Sequence, residues 1–237
     1  DLAIMMGGYV SVPFYASLPR EQLREVVKLS DIKVLFVGKL EKWGDKDQAI
    51  PKEVDVIKFP HYAGNASVNI GDNWNDLTAA HEPKLENYKT DLDSLWTIKF
   101  TSGTTGTPKG VMLSHRSPAT MMAVEKKTNW MGLYNVPEMR CLSYLPLNHV
   151  GERIGMEMIV LALGGTISFA ESLDTFALNI RDSRPTFFFG VPRIWTKFYL
   201  GVINKMPLEK LDFVLSNPET AEKIKQQLRG GMGFSDL

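Results

Sequence analysis

The run TSGTTGTPKG, residues 101 to 110, holds four threonines, three glycines, one serine, one proline and one lysine. It has almost no apolar surface to bury, so it cannot be core and must lie at the surface as a loop dense in hydrogen-bond donors. The preceding DSLWTIKF places Trp96, Ile98 and Phe100 on one face of an extended strand, and GVMLSH after it resumes as a short strand. A glycine-rich turn leaving a strand presents backbone N–H groups; the hydroxyls add donors, and Lys109 adds a point charge suited to phosphate. Spacing excludes two phosphate motifs. A P-loop requires Gly, four residues, then Gly-Lys-Ser/Thr, whereas Gly103, Gly106 and Lys109 are each three apart and the lysine precedes Gly110. No G-x-G-x-x-G follows a strand, which removes the dinucleotide fingerprint. On composition alone, a solvated Ser/Thr/Gly loop without a ligand is the competing reading.

Around this loop the chain alternates short β-branched or aromatic runs with amphipathic stretches. Strands are expected at YVSVPFY (9–15), IKVLFVG (32–38) and VDVIKF (54–59), with a helix after Pro19 burying Leu23, Val26 and Val27. Strand, helix, strand in that order implies parallel pairing with crossovers. Residues 60–90 lack periodicity and read as a long surface excursion with at most one short helix. Beyond the loop, a helix opening at Ser117 and Pro118 carries Met121, Met122 and Val124 inward. CLSYLP (141–146) is a strand, and ERIGMEMIVLALGG is a buried helix ended by Gly164 and Gly165. TISFA, a helix at 176–182, TFFFGVP and the helical RIWTKFYLGVINKM complete the pattern. The expectation is one α/β unit of alternating strands and helices.

Composition limits the partners. Lysine plus arginine and aspartate plus glutamate both total 27, so no large field of one sign exists to gather nucleic acid or an anionic membrane. The single cysteine, Cys141, excludes an intrachain disulfide framework and suits a reducing, cytoplasmic setting. The most apolar stretch, Met156 to Leu163, is far shorter than the roughly 20 residues of a spanning helix, although an apolar patch docking on lipid stays open as peripheral membrane contact. His61 and His81 have no partner at metal-ligand spacing and read as solvent exposed; His115 reads as structural.

The string TSGTTGTPKG resembles, at every defined position, the phosphate-loop signature of the adenylate-forming, or AMP-binding, superfamily. GVMLSH, SYLPLNHVGER (143–153), GGTISFAES (164–172) and FFGVPRIWTK (188–197) extend the resemblance toward the long-chain fatty acyl-CoA synthetases. The resemblance implies the layered N-terminal α/β domain of those enzymes, ATP, Mg2+ and coenzyme A as partners, and attack of a fatty acid carboxylate on the α phosphate. It implies phosphate contacts from Thr101, Ser102, Gly103, Thr104, Thr105, Gly106, Thr107 and Lys109, with Thr104 at the metal and Lys109 neutralising charge. His149 has two readings. It is the cap of the helix that begins near Glu152, or the family position beside the acyl-adenylate. Val191 and Pro192 are either plain core or the wall of the acyl tunnel, and Arg193 and Trp195 either gate that tunnel or start and anchor a helix. Glu152 and Arg153 pair with each other or with nucleotide groups; the methionines at 121, 122, 156 and 158 read as core. No Tyr-Gly-x-Thr-Glu segment is present. The resemblance therefore implies that 1–237 is an internal, partial AMP-binding N-terminal domain, without the C-terminal domain and expected to be inactive alone. Two other functions stay open: a non-catalytic phosphate-binding module, and a ligase for an aryl or amino acid.

Overall fold

The computed structural model describes residues 1–84, 89–101 and 107–237, and in it the chain forms two compact units, Asp1–Ala119 and Thr120–Leu237. One continuous α/β unit was the expectation from periodicity. The boundary falls in the first turns of the helix Arg116–Thr128, just past Pro118, and no linker marks it.

In the first unit, helix α1 (Leu2–Met6) precedes the segment read as a strand at 9–15. That segment makes a single bridge instead: Ser11 N donates to Trp96 O at 3.1 Å and Ile98 N donates to Ser11 O at 3.1 Å. Pro13 has no N–H to continue a ladder. Helix α2 (Arg20–Ser30) follows as expected, and its apolar stripe of Leu23, Val26 and Val27 packs with Ala49 and Val54 into one core cluster. Strands β1 (Val34–Val37), β2 (Asp55–Lys58) and β3 (Asp72–Asn73) pair in that order, all parallel. Helix α3 (Trp74–Ala79) lies within the irregular stretch, its first turn capped by Asn73 Oδ1 accepting from Asn75 N at 2.9 Å. Strand β4 (Leu95–Thr101) pairs antiparallel with β5 (Lys109–Ser114). A register shift between Leu95 and Thr97 breaks the expected alternation, so adjacent Trp96 and Thr97 are both buried, at 1% and 0% exposure.

Helix α4 (Arg116–Thr128) leads into the second unit. Met121 and Met122 pack on the core as expected, but Val124 is exposed. Glu125 is buried in its place, because its two oxygens accept from Met131 N and Leu133 N at 3.0 Å each. Two backbone donors stabilise a buried carboxylate that hydrophobic patterning would assign to solvent. Strands β6 (Arg140–Ser143) and β7 (Thr166–Phe169) are parallel. Their crossover is α5 (Val150–Glu152), a π-helical turn at Arg153–Met158, and α6 (Ile159–Leu163), closed by Gly164 at φ 71°. Met156, Ile159 and Val160 face Leu133, Met139 and Cys141 in a second core cluster. The chain continues through α7 (Phe176–Ser183), α8 (Pro192–Lys205), α9 (Leu208–Ser216) and α10 (Pro218–Met232). The segment TFFFGVP (186–192), read as a strand, forms no ladder: Thr186 N and Phe187 N both donate to one acceptor, Arg140 O, at 2.9 and 3.2 Å. A third cluster joins Leu142, Phe176, Ile180, Phe188 and Phe234.

Candidate functional site

The run 101–110, read as a phosphate loop from its sequence, starts at the end of β4 and finishes within β5, in the first unit. Ser102, Gly103, Thr104, Thr105 and Gly106 lie outside the described residues. The two ends of the loop are described: Thr101 closes β4, Lys109 opens β5, and the two are direct cross-strand partners, both exposed. Strand, loop, strand is a different frame from the strand, loop, helix of a P-loop, in keeping with the spacing argument. Gly110 is needed beside Lys109, because a Cβ there would lie 2.9 Å from Ile98 Cγ2. That contact fixes how closely the strands approach at the base of the loop.

The second group of candidates belongs to the other unit, where the chain leaves β6. His149 is exposed and caps α5: Gly151 N donates to its Nδ1 at 3.1 Å. The capping reading of His149 is thus realised, and it has a chemical consequence. With Nδ1 accepting, the neutral ring carries its proton on Nε2, which leaves an N–H donor on the open side. A Cβ at Gly151 would sit 3.1 Å from His149 Nδ1 and 3.4 Å from Phe189 Cε1, so this glycine leaves the imidazole its place and brings Phe189 beside it.

Phe189 belongs to the segment that carries the other two candidates. Val191 is the N-cap of α8, and Pro192 fills its first position, where a missing N–H costs nothing. Tyr144 ties this segment to the loop after β6. Its hydroxyl donates to Phe189 O and accepts from Val191 N, both at 3.2 Å. Its ring packs on Phe176 at 5.0 Å and stacks on Phe188 at 5.8 Å. Burial pushes the phenol above its ordinary value, so the hydroxyl keeps the proton it donates. Trp195 Nε1 donates to Gly190 O at 2.8 Å, and a Cβ on Gly190 would come within 2.5 Å of that nitrogen. Trp195 therefore anchors the segment from below, packed edge-on to Phe188 at 5.6 Å.

Glu152 and Arg153 are at 0% and 1% exposure. Glu152 Oε1 accepts from Tyr144 N at 3.0 Å, while Oε2 meets no partner among the described residues. The carboxylate thereby holds Tyr144, the first residue after β6. Burial raises its pKa against this bond. Burial also lowers the Arg153 guanidinium to about 10, opposed by the charge of Glu157. Asn148, beside His149, is 6% exposed, and neither atom of its amide meets a partner among the described residues. Tyr144 drew no attention in the sequence, since a tyrosine in a strand end is ordinary; Asn148 likewise looked like a turn residue. The signal was there in the string SYLPLNH, but only the fold shows what the phenol reaches.

His61 and His81 are exposed and bond to backbone oxygens of Asn65 (2.9 Å) and Leu77 (2.7 Å). No group of three or more His, Cys, Asp or Glu side chains among the described residues could cage a metal ion. The same residues include no helix long and apolar enough to cross a membrane.

The two parallel sheets and their crossovers define a mixed α/β architecture. The chain matches the family model described as AMP-binding enzyme over residues 1–232, and it belongs to that family. It is 29% identical over 232 residues to long-chain-fatty-acid–CoA ligase 5 of Rattus norvegicus, covering 89% of this chain and 33% of the relative. It is 39% identical over 218 residues to long-chain-fatty-acid–CoA ligase ACSBG2 of Gallus gallus, covering 83% of this chain and 27% of the relative. The chain thus spans about a third or less of these relatives. Among solved structures, the A-PCP didomain of carboxylic acid reductase from Segniliparus rugosus in complex with AMP superposes with a TM-score of 0.71 at 26% identity, over 100% of this chain and 36% of that one.

Proposed function

We propose that the protein of which this chain is a part is an ATP-dependent long-chain fatty acid:CoA ligase, and that these residues form part of its adenylating domain. In the first step a carboxylate oxygen of the acid attacks the α phosphorus of ATP, the bond to the β-bridging oxygen breaks, and pyrophosphate leaves. In the second, the CoA thiolate attacks the acyl carbon and AMP leaves. The observation that carries this reading is the hydroxyl- and glycine-rich run 101–110, whose described ends Thr101 and Lys109 are cross-strand partners, in a chain whose curated relatives are fatty-acid ligases.

In this reading Thr101 to Thr107 donate hydrogen bonds to the phosphates, and Lys109 offsets charge that builds on them as pyrophosphate departs. Mg2+ supplies further neutralisation when bound. The Thr104 hydroxyl would be the ligand that this run offers the ion. His149 presents its Nε2–H to an oxygen of the activated acid, while Val191 and Pro192 line the path of its chain. The substrates are small molecules, and a cytoplasmic or membrane-surface setting fits them.

The test is acid-dependent ATP–pyrophosphate exchange on the full reading frame, with the 237-residue chain beside it. Exchange supported by palmitate and not by coumarate or amino acids, and absent from the short chain, is the expected outcome. Exchange driven by an aryl or amino acid instead would retain adenylation and replace the substrate. No exchange with any acid would reduce the loop to a binding device.

A further inference from the structure

We propose that Tyr144 is a positioning residue that sets the width of the acid pocket, a role that rests on the ligase reading above. From the loop after β6, which carries Asn148 and His149, its hydroxyl makes two bonds to the segment 189–191, which carries Val191 and opens α8. One hydroxyl makes both bonds, donating to Phe189 O and accepting from Val191 N, so the two segments are held at a fixed separation.

The latch is fixed at both ends. Behind Tyr144, its backbone N–H is held by the fully buried Glu152 carboxylate at 3.0 Å, so the residue cannot slide along the β6 exit. Ahead of it, Gly190 O is held by Trp195 Nε1 at 2.8 Å, with no room for a Cβ on Gly190. Phe189, whose carbonyl takes the phenolic proton, is the residue whose ring edge lies against the position of a Gly151 Cβ, next to the His149 imidazole. A shift of 189–191 therefore changes the space beside His149 directly. The orphaned amide of Asn148 marks the same loop as polar and incompletely satisfied without a ligand. Tyr144 touches no reacting atom in this arrangement. It acts on which acids fit.

The test variant is Tyr144→Phe, which keeps the ring stacked between Phe176 and Phe188 and removes both hydrogen bonds. Made in the full reading frame, it is expected to raise the KM for palmitate by about three- to tenfold, the effect of losing one to two modest hydrogen bonds, with the KM for ATP unchanged. Its preference across C8 to C18 acids should flatten. Hydrogen exchange at the Val191 amide should speed by a similar factor, while the amides of β6 stay protected and report an intact fold. An acid KM and chain-length profile matching the parent would overturn the positioning role, as would equal changes in the KM for acid and for ATP. Unchanged exchange at Val191 would overturn the latch itself, and this readout needs no turnover. If the parent enzyme shows no exchange with any acid, the ligase reading fails, and the positioning role falls with it. If the parent is active and only Tyr144→Phe is silent, this inference alone fails.

Discussion

Single side chains carry most of the chemistry that can be checked. Lys109 is exposed at the first position of β5, with nothing of the core resting on it, so Lys109→Ala should leave the melting temperature in place. In the pyrophosphate exchange assay it should cost about 100-fold in rate, the loss typical of one preorganised donor. Unchanged exchange would remove the loop from catalysis. Glu152 makes a pH prediction with a definite sign. Burial is the dominant cause and raises its pKa, so the folded chain holds this proton more tightly than the unfolded one. Its contribution to stability is then fullest below the unfolded value of about 4.3 and is lost as pH rises through the raised folded value. Glu152→Gln keeps an oxygen for Tyr144 N and removes the charge. Urea melts from pH 4 to 7 should show a shallower decline for the variant than for the parent; parallel curves would contradict the burial argument. Cys141, whose thiol burial pushes up to about 12, stays a thiol throughout this range and adds no slope.

At the scale of elements, hydrophobic period was a good guide where one face meets a core and the other meets water. It found α2, β1, β2, β7 and the region of α8, and it located the loop because TSGTTGTPKG cannot be buried. It failed where a polar side chain has a reason to be inside. Glu125 displaced Val124 from the inner face of α4 because two backbone N–H groups wait for its carboxylate, which no window of sequence reveals. It failed again at 9–15, where Pro13 leaves one bridge in place of a strand, and at 208–232, where α9 and α10 went unread. The candidate site residues could be named from motifs, including the one that holds Tyr144, but the hydrogen bond from Val191 to the Tyr144 hydroxyl spans 47 positions of sequence and no motif contains it. The β4–β5 hairpin offers an element-scale test. Gly110→Val must push Ile98 from a 2.9 Å approach, and overpacking of this kind costs about 1–3 kcal/mol. Chemical denaturation should register that loss, and full stability in the variant would mean that the strand pair is looser than its geometry.

For the whole chain, separate cores in the two compact units mean that damage should stay local. Leu142, at 0% exposure in the cluster with Phe176 and Phe188, belongs to the second unit; Val26 and Val27 anchor the first. Leu142→Ala should cost about 2–5 kcal/mol and accelerate amide exchange across 120–237 more than across 1–119. Equal acceleration everywhere would show that the units unfold as one. The crossover between β6 and β7 adds a constraint of another sort. Its π turn, Arg153–Met158, lies between His149 and the buried Ile159 and Val160. A π turn is an α-helix that has taken in one residue. Removing one residue there would return the crossover to regular α-helix and keep both ends in phase, whereas removing one from the α turns on either side would rotate one end against the other by about 100°, turning either the cap or the core stripe out of place. The crossover thus carries one spare residue, and a deletion that the protein absorbs at 153–158 would a few positions away be read as a change of face.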